Sequence, residues 1–131
     1  MDSSVFGDRG FLEWLRCTER FDIHASIIVY AETLLWYKNL GLTRRQLDTE
    51  LRKLKASIKN LDEELADSAT DAALRYGKEF PFRHHARDYI VGITAQMEKA
   101  ALITRNKQHF GWLLKEGVAV KTPEDFVAEN L

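Results

Sequence analysis

Two acidic residues in distant parts of the chain, Glu32 and Asp88, lie where the active site of a parallel sheet would be built, and Asp2 near the start is a further acid that alone is typical of an N-cap. Glu32 follows an apolar, β-branched run, and Asp88 lies in a predicted helix. Carboxylates that converge from several elements cannot all stay ionised unless a cation lies among them. Oxygen ligands suit Mg²⁺ or Mn²⁺, which can activate a water molecule and stabilise the leaving oxygen of a phosphodiester. If the fold brings these acids together, they predict metal-dependent phosphodiester hydrolysis.

Each of these residues also has a simpler explanation. An acid in the first turn of a helix, where Asp88 is predicted to lie, interacts favourably with the helix dipole. Asp2 can act as an N-cap for the residues that follow it. Thr104 and Asn106, which end the apolar run of residues 100–103, can satisfy backbone groups at the end of a strand. Structural roles therefore stay open beside the catalytic ones.

Short apolar runs predict the strands that would position these side chains. Residues 26–31 form a β-branched run typical of a strand buried on both faces, and residues 100–104 and 118–120 are shorter runs. Ligands bind beyond the carboxyl ends of such strands in parallel sheets. Glu32 and Thr104 are therefore predicted to lie at that edge.

Helices are predicted between these strands from capping signals. Thr43 and Gln46 have the spacing of a capping box, and residues 62–64 are acids at a predicted helix start. Pro123 follows Thr122 at a first helical position, and residues 87–98 continue a helical pattern. The alternation of helices and strands predicts an α/β fold with a parallel sheet, in one domain spanning residues 1–131.

Composition narrows the possible classes of protein. The net charge of −1 gives no global attraction to nucleic acid or to an anionic membrane, so any such binding needs a local patch. Cys17 is the only cysteine, which excludes an intrachain disulfide and a cysteine zinc site; we expect it to be a small apolar filler. No membrane-spanning run or signal peptide is recognisable, and a reducing cytoplasm is the expected location.

Four short segments resemble the PIN domain family, and in particular its VapC-type toxin ribonucleases. They are residues 2–6, residues 26–32, residues 87–92, and residues 103–106 with His109 and Phe110 shortly after. The resemblance implies a three-layer α/β/α fold with a central parallel sheet of four to five strands. It implies an endoribonuclease dependent on Mg²⁺ or Mn²⁺, usually a homodimer and often inhibited by an antitoxin protein encoded beside it.

Carried over by position, the resemblance makes Asp2, Glu32 and Asp88 the metal-binding catalytic acids. Ser4 would form a hydrogen bond near the first acid, and Thr104 and Asn106 would lie at a fourth catalytic position. The family often has an aspartate there, and also near His109. Three carboxylates can still hold one divalent ion with water completing its coordination.

The start of the chain also departs from the family pattern. The first strand of the family precedes the first acid and is central to the sheet, whereas Met1 alone precedes Asp2. Either the natural start lies upstream or the sheet is curtailed. Asp2 is therefore the least secure of the three acids, because fraying of its backbone would remove a ligand from the metal site.

Single-stranded or loop RNA, the expected substrate, requires cations that contact its phosphates. Arg87, Arg105 and Lys107 lie nearest the predicted site. Adjacent residues point in different directions, so His84 and His85 are expected in loop or capping roles rather than as a metal pair. The three tryptophans are Trp14, Trp36 and Trp112. They could stack on bases, but packing in the core or in a dimer interface is the preferred interpretation.

Two other classes of function stay open. The first is a catalytically degenerate PIN-fold module that binds RNA or protein and has lost its metal site, as Asn106 would indicate. The second is a dimeric interaction protein whose aromatic surface docks a partner segment. Binding of Mn²⁺ distinguishes the enzyme from the degenerate module.

Overall fold

The computed structural model describes residues 1–131 and contains seven α-helices and four short strands. In chain order the helices and strands are α1 Arg9–Thr18, β1 His24–Ser26, α2 Ile27–Asn39, α3 Arg44–Lys53, β2 Ser57–Lys59, α4 Glu63–Tyr76, α5 Phe82–Met97, β3 Leu102–Ile103, α6 Gly111–Lys115, β4 Val120–Lys121 and α7 Pro123–Glu129. Two 3₁₀ turns, Ser3–Val5 and Lys107–Phe110, complete the secondary structure. The predicted mixture of helices and short parallel strands is confirmed.

The strands form two separate parallel pairs instead of the predicted central sheet of four to five strands. β1 pairs with β2, with His24 opposite Ser57, and β3 pairs with β4. The first two residues lie between the pairs. The backbone nitrogen of Met1 donates to the His24 carbonyl at 2.7 Å, and that of Asp2 donates to the Ile103 carbonyl at 3.0 Å. Asp2 is thus fixed by contact with both pairs.

The predicted strand over residues 26–31 is wrong, because β1 ends at Ser26 and α2 begins at Ile27. The Ser26 hydroxyl caps this helix by accepting from the Ile28 backbone nitrogen at 3.2 Å. α2 contacts β1, β2, α3 and α5 and therefore needs apolar residues on several sides. Such a helix has the same short apolar run as a buried strand.

Helix starts predicted from local capping signals are confirmed. Thr43 and Gln46 form a complete capping box at the start of α3. Asp62 caps α4 through the Leu65 backbone nitrogen, and Thr122 caps α7 with Pro123 in its first turn. These signals were readable because both partners lie within one turn of each other.

Helix α5 is longer at its start than predicted, so Asp88 lies in its second turn and His84 and His85 are helical. Asp88 and most residues from Tyr89 to Ala95 are buried. A Cβ at Gly92 would lie 2.7 Å from the Trp112 ring, so only glycine permits this close approach of α5 to α6. The small residue therefore helps α5 pack deeply while its first two turns reach the candidate site.

The tryptophans occupy three different settings. Trp112 is fully buried, Trp14 packs partly buried beside Phe11 and Phe21, and Trp36 is 43% exposed on α2.

Cys17 is exposed, so its predicted role as an apolar filler is wrong. None of the helices combines the length and apolar character needed to cross a lipid bilayer.

Candidate active site

Three predicted acids converge on one guanidinium group, that of Arg87. Its Nη2 contacts Asp2 Oδ1 and donates to Glu32 Oε1 at 2.7 Å, and its Nη1 donates to Asp88 Oδ1 at 2.9 Å. Its Nε donates to Glu32 Oε2 at 2.8 Å. Residues from the chain start, α2 and α5 are thereby brought to a single cationic centre.

Asp2 is the most enclosed of the three acids, with no exposed surface. Its Oδ1 accepts from the Ser3 backbone nitrogen at 2.8 Å, and its Oδ2 accepts from the Thr104 hydroxyl at 2.7 Å and from the Ser4 hydroxyl at 3.2 Å. Burial alone would raise the pKa of Asp2, but the charge of Arg87 and the hydrogen bonds from Arg87, Thr104 and the Ser3 backbone lower it overall. Asp2 is therefore held as a carboxylate.

Asp88 joins the arginine to two histidines. Its Oδ2 lies 3.3 Å from Nδ1 of His85, one turn earlier on α5, and 3.7 Å from Nδ1 of His109 in the second 3₁₀ turn. The side chain of Asp88 is 7% exposed, whereas that of His109 is 47% exposed. Imidazole groups thus lie between the buried carboxylate and solvent.

Glu32 and Arg87 form the accessible side of this cluster. The Glu32 side chain is 39% exposed and that of Arg87 is 29% exposed. Burial lowers the pKa of Arg87, but its hydrogen bonds to Glu32, Asp2 and Asp88 outweigh this and raise it overall. The arginine is permanently charged and can be reached from solvent.

Thr104 and Ser4 support Asp2, whereas the Asn106 side chain has no hydrogen bond to the cluster. The fully buried Thr104 hydroxyl donates to Asp2 and accepts from the Asn106 backbone nitrogen at 3.0 Å. The Ser4 hydroxyl also accepts from the Arg105 backbone nitrogen at 3.1 Å. Asn106 contributes its backbone here, and its predicted catalytic role stays a prediction.

Two of the three predicted phosphate-binding cations pair with acids outside the cluster. Arg105 donates to Glu124 at 3.0 Å and contacts Asp8, and Lys107 lies 3.5 Å from Asp125. All three of these acids belong to the surface beside α1 and α7 rather than to the Arg87 centre. Arg105 and Lys107 therefore flank the site instead of entering it.

The donor set has the chemistry that a hard divalent cation prefers, since it consists of carboxylate and hydroxyl oxygens. Its present geometry is that of a guanidinium site: no group of three or more His, Cys, Asp or Glu side chains is arranged to hold a metal ion. Asp2, Glu32 and Asp88 are each in contact with Arg87 instead. The residues fit a divalent ion in type, and they would need to regroup around it.

Sequence reasoning missed two contributors, Ser3 and His85. The Ser3 hydroxyl accepts from Arg87 at 2.9 Å, and nothing in its spacing distinguishes it from Ser4. His85 could have been found, because it lies three residues before Asp88 on a helix, a spacing that places two side chains on one face. Arg87 contacts the three acids in this structure, and its predicted role in substrate binding stays a prediction.

The family comparison covers most of the chain. The PIN domain family model matches residues 3–111, a span that includes Glu32, Asp88 and Thr104 and begins just after Asp2. PIN domains are generally nucleases, are often related to toxin–antitoxin systems, and typically use divalent metals. No curated protein matches the chain. Because the family model matches most of the chain and the architecture is mixed α/β, the chain belongs to the PIN domain family.

Proposed function

We propose that this protein is an endoribonuclease that uses Mg²⁺ or Mn²⁺ to hydrolyse phosphodiester bonds in single-stranded or loop RNA. Asp2, Glu32 and Asp88 would hold the ion, which when bound supplies an activated water molecule and stabilises the leaving oxygen. Ser4 and Thr104 orient Asp2, and the charge of Arg87 together with the hydrogen bonds from Thr104 and the Ser3 backbone keeps that carboxylate ionised despite its burial. Membership of a nuclease family makes this reaction class the natural expectation.

One observation carries the proposal: three carboxylates from separate parts of the chain share one cation. A structural ion pair needs one carboxylate for each guanidinium, and the other two negative charges here are not neutralised by it. Concentrating excess negative charge at a solvent-accessible point costs stability unless a further cation binds there. Such an arrangement supports a site for a divalent ion.

The test measures cleavage of a single-stranded RNA with Mn²⁺ by wild-type protein and by Glu32→Gln and Asp88→Asn variants. We expect each variant to lose about 100-fold or more of the rate, since even supporting groups of metal sites are worth about 10- to 100-fold. Asp71→Asn is the matched control, because Asp71 is an exposed acid on α4. Metal-independent cleavage, or variants as active as wild type, would refute the proposal.

A degenerate PIN-fold binding module is the second candidate, and two observations favour it. The Asn106 side chain forms no hydrogen bond within the cluster, and Arg87 neutralises part of the charge that would attract a metal. On this alternative the acids anchor Arg87 permanently. Calorimetric titration with Mn²⁺ separates the two candidates, because the binding module would give no heat of binding.

The toxin role, a homodimer and an antitoxin partner form a further part of the proposal. Helix α2 exposes two apolar side chains on its second half, Leu35 and Trp36, and its C-cap residue Leu40 is exposed as well. Exposed apolar groups clustered on one helix support a protein interface. Light scattering of the purified protein tests the dimer: a monomeric mass at micromolar concentration would contradict it. Expression of the protein in cells tests the toxin role: it should arrest their growth, and co-expression of a gene encoded beside it should relieve the arrest.

A further inference from the structure

Arg87 uses all three of its guanidinium nitrogens on the acid cluster. Nε and Nη2 donate to Glu32, Nη2 also contacts Asp2, and Nη1 donates to Asp88. The guanidinium neutralises one of three negative charges and leaves two. With the imidazoles of His85 and His109 beside Asp88 uncharged, the remaining charge of the cluster is matched by one divalent cation.

The arginine and a divalent ion would compete for the same oxygen atoms. Mg²⁺ binds carboxylate oxygens at about 2.0 to 2.1 Å, inside the space that the N–H groups of a hydrogen-bonded guanidinium occupy. Asp2 Oδ1 and Glu32 Oε1 both contact Nη2. If Asp2 and Glu32 held a divalent ion, Nη2 of Arg87 would have to leave these two carboxylates.

A displaced Arg87 side chain would remain at the mouth of the site. Its side chain is already 29% exposed, and it extends from the second turn of α5 beside the exposed His84 and Arg83. A guanidinium released from carboxylates is well suited to a phosphate group, which it can bind with two parallel hydrogen bonds. The same residue can thus contact either the acids or an RNA phosphate.

We propose that Arg87 is a resident cation that exchanges for the divalent metal and then binds an RNA phosphate, so that metal and RNA bind cooperatively. This inference rests on the proposed function, since it requires that Asp2, Glu32 and Asp88 accept a divalent ion. Without nucleic acid, the metal must displace the arginine unaided. With nucleic acid present, the phosphate stabilises the displaced guanidinium and metal affinity rises.

Calorimetric titration with Mn²⁺ tests the proposal, with and without a short single-stranded DNA oligonucleotide whose integrity is checked on a gel. The oligonucleotide should tighten Mn²⁺ binding to wild-type protein by about fivefold or more, a typical size for coupling between sites. Arg87→Gln should bind Mn²⁺ about tenfold or more tightly without the oligonucleotide, because a competing positive charge has been removed. The oligonucleotide should have no further effect on that variant.

Arg75→Gln is the matched control, since Arg75 also pairs with a carboxylate, Glu116, but lies on α4 away from the cluster. It should titrate like wild type. If the oligonucleotide does not change the affinity of the wild-type protein for Mn²⁺, the inference is wrong, and this result holds even if Arg87→Gln fails to fold. Unchanged affinity in a folded Arg87→Gln variant overturns it too, while leaving the nuclease proposal intact. Absence of Mn²⁺ binding to every protein refutes both.

Discussion

Replacing Thr104 with valine should remove one hydroxyl group and leave the shape of the core unchanged. This hydroxyl is fully buried, donates to Asp2 at 2.7 Å and accepts from the Asn106 backbone nitrogen at 3.0 Å. A lost hydrogen bond to a charged group costs about 1.5 to 3 kcal/mol, and the second bond costs about 1 kcal/mol. Asp2 keeps its bonds to Ser3 and Ser4, so we expect a total loss of about 3 kcal/mol.

The assay is urea unfolding, with thermal unfolding as a second measurement. For a domain of this size, a loss of about 3 kcal/mol lowers Tm by about 10 °C. Thr104→Ser is the matched control, because it keeps the hydroxyl and loses a methyl group, which costs about 1 kcal/mol. If Thr104→Val is as stable as Thr104→Ser, the hydroxyl does not support the carboxylate and the reasoning fails.

Two further predictions concern packing and pH. Gly92→Ala should lower the free energy of unfolding by up to about 2 kcal/mol, because its Cβ would meet the Trp112 ring at 2.7 Å: such overpacking costs about 1 to 3 kcal/mol, and the better helix propensity of alanine returns about 1 kcal/mol. A raised urea midpoint would contradict this. Burial raises the pKa of Asp2, but the charge of Arg87 outweighs this effect and lowers the pKa below its ordinary value of 3.8. The Asp2 carboxylate therefore stabilises the protein above that pH, and the stabilisation is lost as the pH falls through the folded-state pKa. The free energy of unfolding of the wild type should therefore fall relative to that of Asp2→Asn below about pH 4. A difference between the two proteins that does not change with pH would contradict this prediction.

The parts of the fold that the sequence predicted correctly depend on local chemistry. The capping box of Thr43 and the proline after Thr122 lie within a single helical turn, so neighbouring letters contain the whole interaction. The strand predicted over residues 26–31 failed because a short apolar run does not distinguish a strand from a helix packed on several sides. Ser26, a good N-cap residue, was the one local sign of that helix.

The candidate site could be predicted only in part, for reasons of distance. The three acids were identified by residue type and by resemblance, but their convergence depends on contacts between residues 55 to 85 positions apart in the sequence. The position of Arg87 could not be read from its neighbour Asp88, because adjacent helical residues point in different directions. A long arginine side chain nevertheless reaches back to the carboxylate beside it.

The placement of Asp2 between the two strand pairs has a consequence for local opening. Each ladder contains two or three residues per strand, and such short ladders open at a lower free energy than the whole domain. Separation of Met1 from His24, or of Asp2 from Ile103, would loosen the backbone that aims the first carboxylate. The lifetime of the assembled acids is then governed by the weaker ladder, and a substitution in β2 or β4 could disable the site while global unfolding remains nearly unchanged.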